Sequence, residues 1–170
     1  MKILRLTCCL LVLLLTLIAF TFSPSAQASG PQSGGGGGGG TCMLSGVTVC
    51  SLTIVSGHLI LAGTTVLISA TATCTIPTGF TFEFANGSVT ITQVSHQQII
   101  QASSSFILTT CDGTAQSLQV AVSPSTGSPP FHGGRANAIG SIAPICFLDA
   151  SGFQQCTSLV TTPQVIHITG

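Results

Sequence analysis

Residues 80–92 read FTFEFANGSVTIT, and this stretch carries the strongest β-strand pattern in the 170-residue chain. Aromatic and β-branched residues alternate with polar ones, as expected for strands that bury one face. Asn86-Gly87 in its middle matches the two positive-φ positions of a type I′ turn. With a two-residue loop, Phe84 would face Val89, so that apolar meets apolar. The stretch therefore predicts a β-hairpin with its turn at Asn86-Gly87.

The same period of two recurs along the rest of the chain and predicts further strands. A loop with Pro124, Pro129 and Pro130 precedes another extended stretch at residues 135–142. Many short strands with turn signals between them predict an all-β sandwich, with a small barrel as the alternative. The apolar residues that share one parity within their strands are Val66, Ile68, Ala70, Ala72, Cys74, Leu118, Val120, Val122, Ile166 and Ile168.

Asp112-Gly113 predicts a second hairpin turn. A two-residue loop there would place Phe106 opposite Gln119. A three-residue loop would place Phe106 opposite Val120, and the apolar pattern favours this second register.

The N-terminus has the three parts of a secretory signal peptide, residues 1–28. Lys2 and Arg5 give a positive start, residues 10–22 are almost wholly apolar, and a small-x-small motif ends at Ala28. The pattern predicts cleavage after Ala28. A membrane anchor is the alternative, because the apolar run approaches the length that spans a bilayer.

A glycine-rich linker at residues 29–41 follows, with seven consecutive glycines at 34–40. Such a segment is typical of a flexible tether. It lacks the Gly-Lys-Ser/Thr ending of a phosphate-binding loop. The folded β-sandwich domain is predicted at residues 42–170, with no second membrane-spanning run after the signal peptide.

Six cysteines remain after the signal peptide, and an even number in an exported chain predicts disulfides. A zinc site is disfavoured, because the chain has no C-x-x-C pair and its histidines are scattered singly. Chain position favours three pairs: Cys42–Cys50, Cys146–Cys156 and Cys74–Cys111. The Cys74–Cys111 pair would need a β-bulge beside Cys111.

Charge is almost absent from the predicted mature chain, which carries three acids and one arginine for a formal charge of −2. With no lysine, contacts to a nucleic-acid backbone are not expected. Asp112 and Asp149 could bind calcium, but turn formation is the favoured role for both. The scarcity of acids, bases and activated nucleophiles predicts a protein that is not an enzyme and has no cofactor, metal or catalytic residue.

One loop combines an aromatic ring, a histidine and the sole cation of the mature chain. Phe131, His132 and Arg135 form this candidate ligand loop, in which Arg135 could hold a carboxylate. In the favoured alternative, Arg135 pairs with Asp149 or points to water.

Three stretches are similar to those of a known class of protein: the Thr-rich strand ending at Cys74, residues 111–124, and residues 131–138. Together they resemble small secreted immunoglobulin-like sandwiches of actinobacterial type, and more distantly the neocarzinostatin type. The resemblance implies an immunoglobulin-like fold and an extracellular location. The chain has no Trp, so it departs from antibody-type domains.

These observations predict a secreted or cell-surface, non-catalytic protein with a structural or protein-interaction role. Low charge also favours self-association. The alternative, suggested by the neocarzinostatin likeness, is a module that binds a small apolar ligand. A third hypothesis is binding to ice or another flat surface through the pairs Thr71, Thr73 and Thr90, Thr92, although Thr is a common outward residue in strands.

Overall fold

The computed structural model describes residues 39–55, 58–62, 64–95 and 97–169, which form ten strands and no helix. The predicted signal peptide and most of the predicted linker lie outside these residues. Gly39 to Thr41, assigned above to the linker, belong to the first strand. The strands are β1 (Gly39–Leu44), β2 (Val47–Ile54), β3 (His58–Ala62), β4 (Thr65–Thr75), β5 (Phe80–Ser95), β6 (Gln98–Leu108), β7 (Asp112–Val122), β8 (Gly134–Asp149), β9 (Gln154–Val160) and β10 (Gln164–Thr169).

The strands form two sheets. In the first sheet, β4 pairs with β7 along one edge and with β2 and β3 along the other, and β1 extends the sheet beyond β2. In the second sheet, β5 pairs with β6 and β8, while β9 and β10 share the far edge of β8. The chain crosses between sheets after β4, β6 and β7, and β3 joins the sheets by pairing in parallel with β10. This two-sheet arrangement confirms the predicted all-β sandwich.

Alternation along the strands places the core between the sheets, as predicted. The even-numbered residues of β4 from Val66 to Cys74 are at most 2% exposed, and Ile166 and Ile168 of β10 are buried. Among the even-numbered residues of β7, Val120 is buried and Leu118 is half-buried. Removal of such apolar side chains from water is the main stabilising contribution to a domain of this size.

The predicted hairpin turn at Asn86-Gly87 is wrong. Both residues lie in the middle of β5, where Asn86 is opposite Ile107 and Gly87 is opposite Phe106. The turn that ends β5 falls ten residues later, with Ser95 opposite Gln98. Backbone pairing on both edges of β5 outweighs the local turn preference of Asn-Gly.

Gly87 serves a packing role in place of the predicted turn role. A Cβ atom at this position would overlap the ring of Phe106 on the neighbouring strand. The ring therefore covers a glycine backbone, as aromatic side chains do when they shield glycines in sheets. Positive φ at two successive turn residues is found instead at Ser45 (50°) and Gly46 (81°), which join β1 to β2.

The predicted hairpin at Asp112-Gly113 is also wrong, because β6 and β7 belong to different sheets. Phe106 is paired with Gly87, and Val120 with Ile68, so neither proposed register occurs. Gly113 nevertheless has a φ of 86°, within the first residues of β7. The β4–β7 register shifts between Thr73 and Thr75, beside the disulfide to Cys111. This irregularity lies between β4 and β7, whereas the bulge predicted beside Cys111 belonged to a β6–β7 hairpin that does not form.

The three predicted disulfides are present. Cys42–Cys50 and Cys146–Cys156 each join residues that face one another on adjacent strands. Cys74–Cys111 joins β4 to the residue before β7 across a sequence separation of 37, and Cys74 also faces Cys50. In the chain-entropy model, a loop of that length contributes about 4 kcal/mol to stability.

Substitution of Gly87 tests the contact with Phe106. Gly87→Ala should lower the free energy of unfolding by about 1–3 kcal/mol, because the new methyl group must displace the ring. In a Phe106→Ala background the same change should cost much less, and urea denaturation of the wild type and the three variants measures the difference. An equal cost in both backgrounds would contradict the contact.

Candidate functional site

The candidate ligand loop covers the end of the β7–β8 connection and the start of β8, and its three residues have different environments. Phe131 is only 1% exposed and packs in the core between the sheets. His132 and Arg135 are exposed. Phe131 is thus an anchor for the loop, and the aromatic ring predicted to contact a ligand is not at the surface.

A buried glutamine holds this loop in place. Gln93 of β5 is 2% exposed, and its Nε2 donates a hydrogen bond to the His132 carbonyl at 2.8 Å. The His132 N–H donates in return to Gln93 Oε1 at 3.0 Å. The side chain therefore bonds both backbone groups of His132, as a neighbouring strand would. The sequence contained a signal for this role that was missed: Gln93 continues the buried parity of Val89 and Ile91.

Arg135 lies at the start of β8, where it faces His167 of β10. Asp149 ends the same 16-residue strand, so the two residues are far apart and the alternative Arg135–Asp149 pair is wrong. The fold thus places the arginine opposite a histidine of the C-terminal strand at one end of the second sheet, and Asp149 at the other end of β8.

Each of the three carboxylates accepts hydrogen bonds that organise the fold. Asp149 Oδ1 accepts from the N–H groups of Ser151 and Phe153, at 2.9 and 3.0 Å, within the β8–β9 turn. Glu83 Oε2 accepts from Gln154 Nε2 at 2.6 Å. These bonds confirm the turn role predicted for Asp149.

Asp112 has the same kind of role at the start of β7. Its Oδ1 accepts from the hydroxyl and the backbone N–H of Thr114, at 2.6 and 3.0 Å. These two bonds, the hydroxyl first, lower the pKa of Asp112 because they stabilise the ionised carboxylate. Within the described ranges, no group of three His, Cys, Asp or Glu residues is placed to hold a metal ion.

The outer face of the first sheet is rich in hydroxyl groups. Thr53, Thr71 and Ser117 form one row across β2, β4 and β7. In the next row, the hydroxyls of Ser51 and Thr73 share a hydrogen bond of 2.7 Å. The outward residues in the middle of this face carry no charge: Ser51, Thr53, Leu67, Ser69, Thr71, Thr73, Ala115, Ser117, Gln119 and Ala121.

The outer face of the second sheet also carries paired hydroxyl groups. Thr90 and Ser103 hydroxyls are 2.7 Å apart, and those of Ser88 and Ser141 are 2.9 Å apart. The charged side chain of Arg135 lies at the end of this face. The threonine pairs proposed for surface binding are half-buried among these hydroxyl-bearing residues: Thr71 with Thr73, and Thr90 with Thr92.

An open groove of about 320 Å³ lies between Thr64 and the 124–130 loop. Its lining consists of proline, serine, threonine and glycine. The groove is within the size range of small-ligand sites, although such sites are usually more apolar.

Comparison with known proteins finds no matching family model, no matching curated protein and no matching solved structure. In the part of the chain that the structure describes, no helix is long and apolar enough to cross a membrane.

Replacement of Gln93 tests the clamp on the loop. Gln93→Leu should lower the free energy of unfolding by about 1–3 kcal/mol, because both backbone groups of His132 lose their partner. The matched change Gln119→Leu, on an exposed position of β7, should stay within about 0.5 kcal/mol of wild type. Urea denaturation and amide exchange at His132 report the two effects. Unchanged exchange at His132 in the Gln93 variant would contradict the clamp.

The hydrogen bonds from Thr114 predict a pH effect at Asp112. By NMR the pKa of its carboxyl should lie below the usual value for an aspartate, and Thr114→Ala should raise that pKa because the hydroxyl donor is lost. Since the pKa is lower in the folded state, the bonds add stability above the unfolded pKa and lose it as the pH falls through the folded one. An unchanged pKa in the variant would exclude the hydroxyl as its main cause.

Proposed function

We propose that this protein is a secreted or cell-surface, non-catalytic β-sandwich protein with a structural or protein-interaction role. The observation that carries the proposal is the hydroxyl-rich outer face of each sheet, which is uncharged in the middle of the first sheet and carries Arg135 at the end of the second. Covering such a face requires little desolvation of charge, which is the costly part of forming an interface. Protein interfaces are likewise depleted of charged residues at their centres.

The use of the polar side chains supports a non-catalytic role. Asp112, Asp149 and Glu83 are engaged in hydrogen bonds that shape turns or join neighbouring segments. The candidate ligand loop is fixed by Phe131 in the core and by Gln93 beneath it. These structural roles explain why the residues are present without invoking a substrate.

The predicted location rests on two features. Three disulfides are characteristic of proteins that fold in an oxidising compartment. The signal-peptide pattern and the glycine linker would export the domain and hold it on a tether.

The small-ligand alternative is supported by the groove beside the 124–130 loop. Mass spectrometry of an organic extract from the purified protein distinguishes the two functions. A single compound in molar proportion to the protein, lost when Ser128 in the groove is changed to Arg, would favour the alternative.

Lysine substitutions on each face test the interaction role. The tagged protein recovered from its native surface or medium should retain a specific partner, identified by mass spectrometry. Thr53→Lys on the first sheet and Asn137→Lys on the second place one charge at matched exposed positions. We expect one variant to lose the partner by at least tenfold and the other to retain it.

Two results would overturn the proposal. One is that neither the Thr53→Lys nor the Asn137→Lys substitution reduces recovery of the partner. The other is an esterase, protease or glycosidase activity that a single His or Asp substitution abolishes without unfolding the protein. N-terminal sequencing of the exported protein tests the location separately: it should begin at Ser29, and a membrane-held form beginning at Met1 would contradict secretion.

A further inference from the structure

Strand β6 forms an open edge of the second sheet. It pairs with β5 through eleven successive residues, from Leu108 opposite Ala85 to Gln98 opposite Ser95, with no shift of register. No other described strand pairs with it. Edge strands normally avoid further pairing by means of charged residues, prolines or bulges. The sequence QIIQASSSFIL of β6 has no charge and no proline, and the strand has no bulge.

Other edge strands of the described chain are protected. The register of β7 shifts near its start, where Gly113 has positive φ. The register of β1 shifts between Cys42 and Met43. The β1 edge also lies against β9, since a Cβ at Gly40 would be 3.1 Å from the Val160 carbonyl oxygen. The contrast singles out β6 as the edge that can accept another strand.

The outward side chains of β6 are arranged symmetrically about its central residue, Ser103. Ile99 and Ile107 lie four residues on either side and are 70% and 65% exposed. Gln101 and Ser105 lie two residues on either side, and both are exposed and uncharged. A strand with this arrangement is complementary to an antiparallel copy of itself.

We infer that β6 pairs with β6 of a second copy of this chain, antiparallel about a twofold axis at Ser103. The inference deepens the proposed interaction role and rests on it. In this register Ile99 faces Ile107 of the second copy, and the reverse contact follows by symmetry, as in any isologous interface. The second sheets of the two copies then form one continuous sheet. The outer faces of both copies lie on the same side of it.

A neighbouring side chain enlarges the apolar contact. Val94 of β5 is opposite Ile99 and is 69% exposed. Val94 and Ile99 therefore form a cluster with Ile107 of the second copy, and the twofold axis creates two such clusters. Apolar side chains directly opposite each other in an antiparallel pair are within contact distance. The backbone groups on the free edge of β6 gain partners at the same time.

Light scattering after size exclusion, over a range of protein concentrations, tests this interface. The wild type should be a dimer. Ile99→Lys with Ile107→Lys places like charges opposite each other at two sites and should weaken the dimer at least tenfold. Ile99→Lys with Ile107→Glu places opposite charges there and should restore the dimer. The control Leu67→Lys, an exposed apolar position on the first sheet, should remain dimeric.

Each variant is first shown to be folded by mapping its three disulfides. A monomeric wild type at all concentrations, or a double-lysine variant as dimeric as the Lys/Glu variant, would overturn the inference. These results are separable from failure of the proposed function, because recovery of a partner is tested at Thr53 of β2 and Asn137 of β8, and neither residue belongs to β6.

Discussion

The pairing of β5 on both of its edges is the constraint on which the rest of the structure depends. Eleven residues of β5 face β6, and eleven face β8. Buried backbone N–H and C=O groups require partners, so a strand paired on both sides cannot be interrupted without large losses. This continuity carries the chain through Asn86-Gly87, sets Gly87 beneath Phe106, and leaves β6 as the outermost strand of its sheet.

Polar groups in this protein are few, and the fold uses them for its own organisation. No buried side-chain nitrogen or oxygen in the described residues lacks a hydrogen-bond partner. Gln93 is buried because it bonds both backbone groups of His132, and Asp149 bonds two backbone amides of its turn. The cost of burying an amide is offset only by such complete pairing. The loop that combines aromatic, histidine and arginine residues is thus explained largely by the need to fix the start of β8.

The surface has the opposite character, with hydroxyl groups in place of charges. Ser51 with Thr73 and Thr90 with Ser103 bond to each other across strands. Hydroxyls that are already paired lose less hydration when another surface covers them, and no ionised group must be desolvated. A domain with low net charge and an unprotected edge strand also lacks the usual barriers to self-association. The proposed interaction role rests on both features.

The sequence by itself determined the features that depend on local parity and short chain distances. Alternation identified the buried faces of β4, β7 and β10, and spacing identified the disulfides Cys42–Cys50 and Cys146–Cys156, with Cys74–Cys111 by elimination. The turn role of Asp149 could be predicted because an aspartate side chain bonds the backbone of its own turn. Only the tertiary structure decided which strand lies opposite which, because that choice depends on the summed pairing and packing of distant segments. For that reason Asn86-Gly87 and Asp112-Gly113 do not form hairpins, and Phe131 and Gln93 support the loop from within.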